Sequence, residues 1–205
     1  LVSLGSGLAA AQTYQSNLGN VQTEVSAADS ALATAINLVQ TAQSLAVRGA
    51  SSTTTAAERQ SFAGQVQTIQ QQLVGLANTQ VGGRYIFGGD DDQTAPYQYD
   101  AASANGADAS GAPGVTRTIE SPGGEAVYQS LTAGTIFDSG GASTFAALQN
   151  LQTALANNDT AGAATALASL GNASSWLSQQ QVITVRRHSA SRASRRRLRR
   201  RLRRS

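Results

Sequence analysis

The sequence contains no cysteine, no methionine and no lysine, a single histidine, a single tryptophan and three prolines. Without Cys there is no disulfide framework, no thiolate nucleophile and no Cys-based zinc or iron–sulfur site. One His excludes a histidine-rich metal centre. Charged residues make up only 13% of the chain and aromatics 5%. No apolar run approaches the ~20 residues that a membrane-spanning helix needs. Ala, Ser, Gln, Thr and Gly fill the 205 residues instead. Hydrophobics reach 40%, but much of this is Ala, which suits close approach of helices more than a wide globular interior. The chain opens on Leu1-Val2-Ser3-Leu4, already apolar and patterned, which reads as the inside of a helix and so as a piece of a longer protein.

The net charge of +3 conceals a division. Residues 1–185 set four arginines (Arg48, Arg59, Arg84, Arg117) against all twelve carboxylates, a net −8; residues 186–205 hold eleven arginines and no acid, a net +11. The basic balance therefore describes a tail, and the acidic body does not suit nucleic acid. Such a tail can be solvated or disordered, or can bind nucleic acid or anionic lipid.

The first segment repeats every seven residues. With Leu4 as position a, the series runs Leu4, Ala11, Leu18, Val25, Leu32, Val39, Ala46; position d runs Gly7, Tyr14, Val21, Ala28, Ala35, Ala42. Every a position and all but one d position are apolar, the signature of a coiled-coil seam, although an ordinary helical bundle shares that geometry. No proline interrupts residues 1–46, so the 1.5 Å rise predicts a helix of about 65 Å. Arg48-Gly49 reads as its C-terminal cation and glycine stop. Thr55-Ala56-Ala57-Glu58 is a capping box that starts a second helix. Phe62, Val66, Ile69, Leu73, Leu76 and Gln80 follow at helical spacing, and the short connection predicts an antiparallel return. Gln70-Gln71-Gln72 are expected to face outward.

At Gly82-Gly83 the period changes. Arg84–Gly89 reads as a strand closed by a glycine turn, and Tyr97-Gln98-Tyr99 alternates. Residues 100–114 read as a low-complexity loop. Val115–Glu120, Ala126–Leu131 and Thr135–Phe137 are further strand candidates. Helical pattern returns at Ser143, a cap, with Phe145, Leu148, Leu151 and Leu155. Asp159 caps a last helix carrying Ala163, Leu167, Leu170, Ala173, Leu177 and Val182, in which Gly171 is a weak point. The expected fold is thus mainly α with a small β-rich insertion, an elongated antiparallel helical bundle or coiled coil. Residues 1–82 and 141–185 form the discontinuous rod, 83–140 the insertion projecting from one end, and 186–205 the Arg-rich tail.

The run Leu76-Ala77-Asn78-Thr79-Gln80-Val81-Gly82-Gly83-Arg84-Tyr85-Ile86-Phe87-Gly88-Gly89, followed by Thr94-Ala95-Pro96-Tyr97, resembles the bacterial flagellin family. So do the long leading helix, Phe145-Ala146-Ala147-Leu148-Gln149-Asn150-Leu151 and the helix start at Asn158-Asp159-Thr160. Each motif is degenerate, and their order and spacing over residues 1–183 carry the likeness. The Tyr-Ile-Phe-Gly strand is most similar to family members at the hook–filament junction. The resemblance implies a flagellin-like rod, secretion through the flagellar type III export channel and a place in the extracellular flagellum. For the full-length form it also implies a homo-oligomeric ring between a hook-side junction protein and the flagellin filament. Family members begin further upstream and end in a second amphipathic helix. Here that position holds Arg186-Arg187-His188 and the Arg/Ser run, which reads as either out-of-frame text or a true tail. Lacking both polymerisation termini, the chain is expected to be a folded monomer.

Little here suits catalysis, and no catalytic, cofactor or metal residue is assigned. His188 sits among arginines that oppose its protonation. Asp90-Asp91-Asp92 offers oxygen ligands but lacks the alternating spacing and closing Glu of an EF-hand, and reads as a solvated turn. No Gly-x-Ser-x-Gly elbow occurs. The paired glycines lack the Lys and Ser/Thr of a phosphate loop. Tyr85 and Phe87 suit packing on helix ends better than base stacking, and Trp176 is expected buried at a helix interface. The surface left over is uncharged Gln, Ser, Thr and Asn, which suits lateral packing of identical subunits because no desolvated charge needs a partner. The leading expectation is a structural adaptor with no enzyme activity, no cofactor and no membrane span. The alternatives are filament flagellin, a coiled-coil binding module, or an anion-binding protein acting through Arg186–Arg204.

Overall fold

A computed structural model describes residues 2–110, 116, 118–120, 126–139 and 143–202. Its elements in chain order are α1 (Val2–Ala50), α2 (Ala56–Ala77), β1 (Gln80–Val81), β2 (Arg84–Tyr85), β3 (Tyr97–Tyr99), β4 (Ala107–Ala109), β5 (Thr118–Glu120), β6 (Ala126–Gln129), α3 (Ala133–Phe137), α4 (Thr144–Ala156) and α5 (Thr160–Leu202).

The seven-residue period is the organising feature. From Tyr14 to Ala46 every a and d position of the series is buried: Tyr14, Leu18, Val21, Val25, Ala28, Leu32, Ala35, Val39, Ala42 and Ala46. Ala31 and Leu45 broaden the stripe where α1 also meets α2 and α4, as a helix with more than one neighbour requires. Its principal partner is α5. There Ala163, Ala166, Leu170, Ala173, Leu177, Gln180 and Thr184 are buried at alternating steps of three and four. The two run antiparallel, since Gly49 lies beside Ala163 at one level and Asp29 Oδ1 accepts from Gln181 Nε2 at 3.0 Å at another.

That register corrects two positions of the expected stripe. Leu167 is half-buried at the margin, and Val182 is 52% exposed. Two more steps from Leu177 fall on Gln180 and Thr184, whereas Val182 lies about 140° round the helix from Leu177. The seam therefore turns polar before the apolar text ends. The Thr184 hydroxyl donates to the Gln180 carbonyl at 2.9 Å and enters the seam satisfied. Helix α5 runs without a break through residue 202, so the arginine-rich residues up to that point share its backbone.

The caps at both corners of the closed end, α1–α2 and α4–α5, and at the neck end of α4 form as the sequence predicts. Thr55 Oγ1 accepts from the Glu58 amide while the Glu58 carboxylate accepts from the Thr55 amide at 2.8 Å. Ser143 Oγ accepts from the Ala146 amide at 3.1 Å, and Asp159 Oδ1 from the Gly162 amide at 2.9 Å. Gly49 is not the stop it resembles. It lies inside α1, buried, where a Cβ would overlap the Leu155 side chain, so its role is to let α4 and α5 approach α1.

The described strands form three separate two-stranded antiparallel sheets, β1–β2, β3–β4 and β5–β6. Three expectations fail here. Only Arg84 and Tyr85 of the expected 84–89 strand pair as a ladder. Residues 107–109, read as loop, form β4, because Tyr97–Tyr99 supplies an edge and Gly106 at φ +67° turns the chain back onto it. Residues 135–137 belong to helix α3, started by Thr132, whose Oγ1 accepts from the Thr135 amide at 3.3 Å. Of the expected strands at Val115–Glu120 and Ala126–Leu131, Thr118–Glu120 form β5 and Ala126–Gln129 form β6, Thr116, Ser130 and Leu131 lie outside the ladder, and Val115 and Arg117 are outside the described residues. The insertion does not project from an end: β1 contacts α1, β3 contacts α2, and α3 and β6 contact α5.

Candidate functional site: rod faces and the neck of the insertion

On the outer face of α1 the hydroxyls of Ser26, Ser30, Thr34 and Thr41 donate to the carbonyls four residues earlier, at 2.9–3.0 Å. Thr23 and Ser44 do the same at 3.3 Å. On α5, Thr165, Ser175 and Ser178 repeat the pattern at 3.0, 3.0 and 2.8 Å. A Ser or Thr facing solvent on a helix has this acceptor in reach. These faces are thus polar in composition, but the hydroxyls named above have an acceptor within their own helix and are not stranded when covered.

The insertion joins the rod through a neck built on the Leu76–Tyr97 motif. Asn78 ends α2, and its side-chain amide pairs with the backbone of Tyr97: Nδ2 donates to the Tyr97 carbonyl at 2.7 Å, and Oδ1 accepts from the Tyr97 amide at 3.0 Å. The Ile86 amide donates to the Thr79 carbonyl at 3.0 Å, the Tyr85 amide to the Asp92 carbonyl at 2.8 Å, and the Ala133 amide to the Phe87 carbonyl at 2.8 Å. Gly88 bridges Thr132 and is backed so closely by the Asp91 carbonyl that a Cβ would not fit. Phe87 meets Phe137 edge-on at 6.4 Å between centroids; Phe137 lies 5.6 Å from Phe145, and Phe145 4.8 Å from Tyr97. The Tyr97 hydroxyl donates to Asp138 Oδ2, and Asp138 Oδ1 accepts from Ser143 Oγ at 2.6 Å. Burial first, then the hydrogen bond to Asp138 and that carboxylate's charge, push the Tyr97 phenol well above its ordinary range.

At the closed end Arg59 is buried with no carboxylate partner among the described residues. Its Nε donates to the Gly49 carbonyl at 2.7 Å, one terminal nitrogen to the Ser51 carbonyl at 2.6 Å, and the other to Asn158 Oδ1 at 2.6 Å. Two of these acceptors lie at the C-terminal end of α1, where free carbonyls and the helix dipole favour a cation. Arg48 lies over the Phe62 ring, 4.2 Å from its centroid. The Glu58 carboxyl is held below its ordinary 4.5, mainly by the Thr55 amide and then by the Thr55 hydroxyl.

The residues weighed for chemistry are scattered. Asp92 Oδ2 pairs with Arg84 at 3.2 Å and its Oδ1 accepts from Gln93 at 2.7 Å, while Asp90 and Asp91 are exposed. Among the described residues no cluster of three His, Cys, Asp or Glu side chains is placed to hold a metal ion, and no helix is long and apolar enough to cross a membrane. The His188 side chain lies outside the described residues. Phe87 packs as expected, with Tyr85 half-buried beside it. Trp176 is half-buried rather than buried: its indole reaches across to donate to the Thr135 carbonyl of α3 at 3.0 Å, which keeps one ring edge at the surface. Gln70 is fully buried rather than outward-facing, with Nε2 donating to the Asn105 carbonyl at 2.8 Å. Gln71 and Gln72 are exposed as expected.

Arg59 and Asn78 were not singled out by sequence reasoning, and Gly49 was read only as a helix stop. Arg59 had a signal, since it falls three residues before Phe62 on the stripe continued by Val66, Ile69 and Leu73. Asn78 had none beyond the family likeness.

A long helical pair with two shorter helices and a flanking β insertion is a flagellin-like architecture. Residues 1–92 match the family of the bacterial flagellin N-terminal helical region. The chain is similar to flagellar hook-associated protein 3 of Escherichia coli (strain K12), 29% identical over 181 residues that cover 80% of this chain and 56% of that protein. The chain thus spans about half the length of that curated relative. The fold matches that of a flagellar hook-associated protein from Vibrio parahaemolyticus, with a TM-score of 0.82 at 18% identity over 96% of this chain and 88% of that one. It matches Bacillus cereus FlgL with a TM-score of 0.77 at 18% identity, over 96% and 93% of the two chains.

Proposed function

We propose that this chain is a structural, non-catalytic component of the bacterial flagellum that sits at the hook–filament junction and packs laterally with its own copies and its neighbours. Those neighbours are another hook-associated protein and flagellin, and the chain reaches the cell exterior through flagellar type III export. The observation that carries the reading is the pair of long helices whose outer hydroxyls are already bonded within their own helices. Where those hydroxyls stand, on α1 between residues 23 and 44 and on α5 between 165 and 178, such a face loses little when covered by an identical face, because no exposed ion and none of those hydroxyl donors is stripped of water. A contact of this kind that joins different faces of successive subunits closes into a ring or continues as a tube. The similarity to hook-associated protein 3 supports the junction rather than another part of the organelle.

The match of residues 1–92 to the flagellin helical region favours one second reading, a filament subunit. Immunogold labelling of purified flagella with antibodies raised to residues 83–110 separates the two. Gold confined to one band between hook and filament is the expected result. Label along the filament would favour the second reading, and flagella with no label would reject both.

A further inference from the structure

Asn105-Gly106 is the one Asn-Gly pair in the sequence, and it sits at the end of the β3–β4 connection. We infer that it is a site of spontaneous succinimide formation, and that its conversion to isoaspartate releases the β3–β4 hairpin from α2. Asn105 is exposed, and among the described residues no hydrogen bond from its side-chain amide is recorded. The residue that follows has no side chain to obstruct approach of its backbone nitrogen, and its φ of +67° is a conformation open to glycine. One hydrogen bond ties that nitrogen down, from the Gly106 amide to the Ser103 carbonyl at 3.1 Å, where the buried Gly106 follows a turn exposed at Ala101, Ala102, Ala104 and Asn105.

The chemistry needs only water and hydroxide. Hydroxide removes the Gly106 amide proton, and the nitrogen attacks Asn105 Cγ. A new C–N bond closes the five-membered ring as the Cγ–Nδ2 bond breaks, and ammonia leaves with a proton from solvent. Water then opens the imide at either carbonyl, giving aspartate or isoaspartate. In isoaspartate the main chain runs through the former side chain, one methylene longer, and the former Asn105 carbonyl becomes a free carboxylate.

The surroundings make that extra methylene costly. Gly106 is buried against Gln70, whose amide occupies the space a Cβ would need, with Gln149 Oε1 at 2.5 Å from the same point. Fully buried Gln70 donates to the Asn105 carbonyl, and the ladder beyond pairs Tyr99 with Ala107. A chain longer by one atom between these two fixed points cannot keep both. The hairpin is the side that gives way, because α2 is held in the rod core.

The full chain, aged in alkaline buffer and compared with an Asn105→Gln variant, tests this. The peptide cut after Arg84 and Arg117 contains Asn105 as its one asparagine. Expected are the mass gain of an amide-to-acid change in that peptide, labelling by an isoaspartate methyltransferase, a rate that rises in proportion to hydroxide, and loss of all three in the variant. Hydrogen exchange should then show lost protection in β3 and β4, with α1 and α2 unchanged. Conversion seen in urea but not in the native protein would overturn the site. Conversion without loss of hairpin protection would overturn the release.

Discussion

Single side chains decide whether the corners hold. Arg59 satisfies two carbonyls left free at the C-terminal end of α1 and reaches the α4–α5 turn at Asn158, which itself sits at φ +57°. Arg59→Ala should lower unfolding free energy by about 3 kcal/mol in urea titrations, since buried acceptors of a charged donor are left bare. Arg59→Lys should recover less than half of that loss, because an ammonium cannot reproduce the planar fork. Tyr97 gives a pH signature. Its phenol ionises near its ordinary 10.0 when unfolded and well above that when folded, so the stability it contributes is present below that pH and lost as pH rises past it. Tyr97→Phe should flatten the alkaline limb of the stability curve and lower stability at neutral pH. Glu58 works in the opposite direction. Its carboxyl is depressed in the fold, so the capping box contributes above 4.5 and is lost as pH falls through the lowered value. Glu58→Gln should remove that acid-side slope in melts taken at decreasing pH.

At the scale of elements, local chemistry was readable and contact-made structure was not. The seam from Tyr14 to Ala46, the Thr55 box and the caps at Ser143 and Asp159 all follow from residues within a few positions of one another, and all are where the sequence puts them. Strand β4 is Ala-Asp-Ala, with no intrinsic preference for a ladder; it exists because β3 supplies its partners and Gln70 holds the turn that leads into it. Helix α3 shows the same dependence. Thr135-Ile136-Phe137 is β-branched and aromatic like a strand, but the Thr132 cap and the demand to bury both Ile136 and Phe137 turn it into a helix. The neck was legible through family likeness alone, since nothing local says that an asparagine side chain will imitate a strand for Tyr97. Glycines separate the two kinds of information. Gly171 has open space where a Cβ would stand, so Gly171→Ala should raise stability by about 0.5–1 kcal/mol. Gly49→Ala should lower it by about 1–3 kcal/mol through overpacking against Leu155. Thermal melts of the two variants should move in opposite directions.

Over the whole molecule the core is uneven. One cluster runs from Ala28 through α2, α4, α5 and the neck, while Val21 and Val25 form a small cluster of their own further up α1. Four helices meet around the first, and α1 and α5 continue past it as a pair. Hydrogen exchange should therefore show protection in α1 that is greatest between residues 28 and 50 and declines toward Val2, because opening the two-helix portion exposes less apolar surface. A flat profile along α1 would mean that the seam alone sets its stability.

The neck carries a consequence for change over time. Asn78, the Phe87 carbonyl and the linked rings of Tyr97, Phe137 and Phe145 tie the chain on both sides of the two hairpins together at one base. What lies beyond it is open to change: the exposed turn residues Ala101, Ala102 and Ala104 can be replaced or added to while the shaft keeps its register. Two lineages could thus wear different heads on one handle.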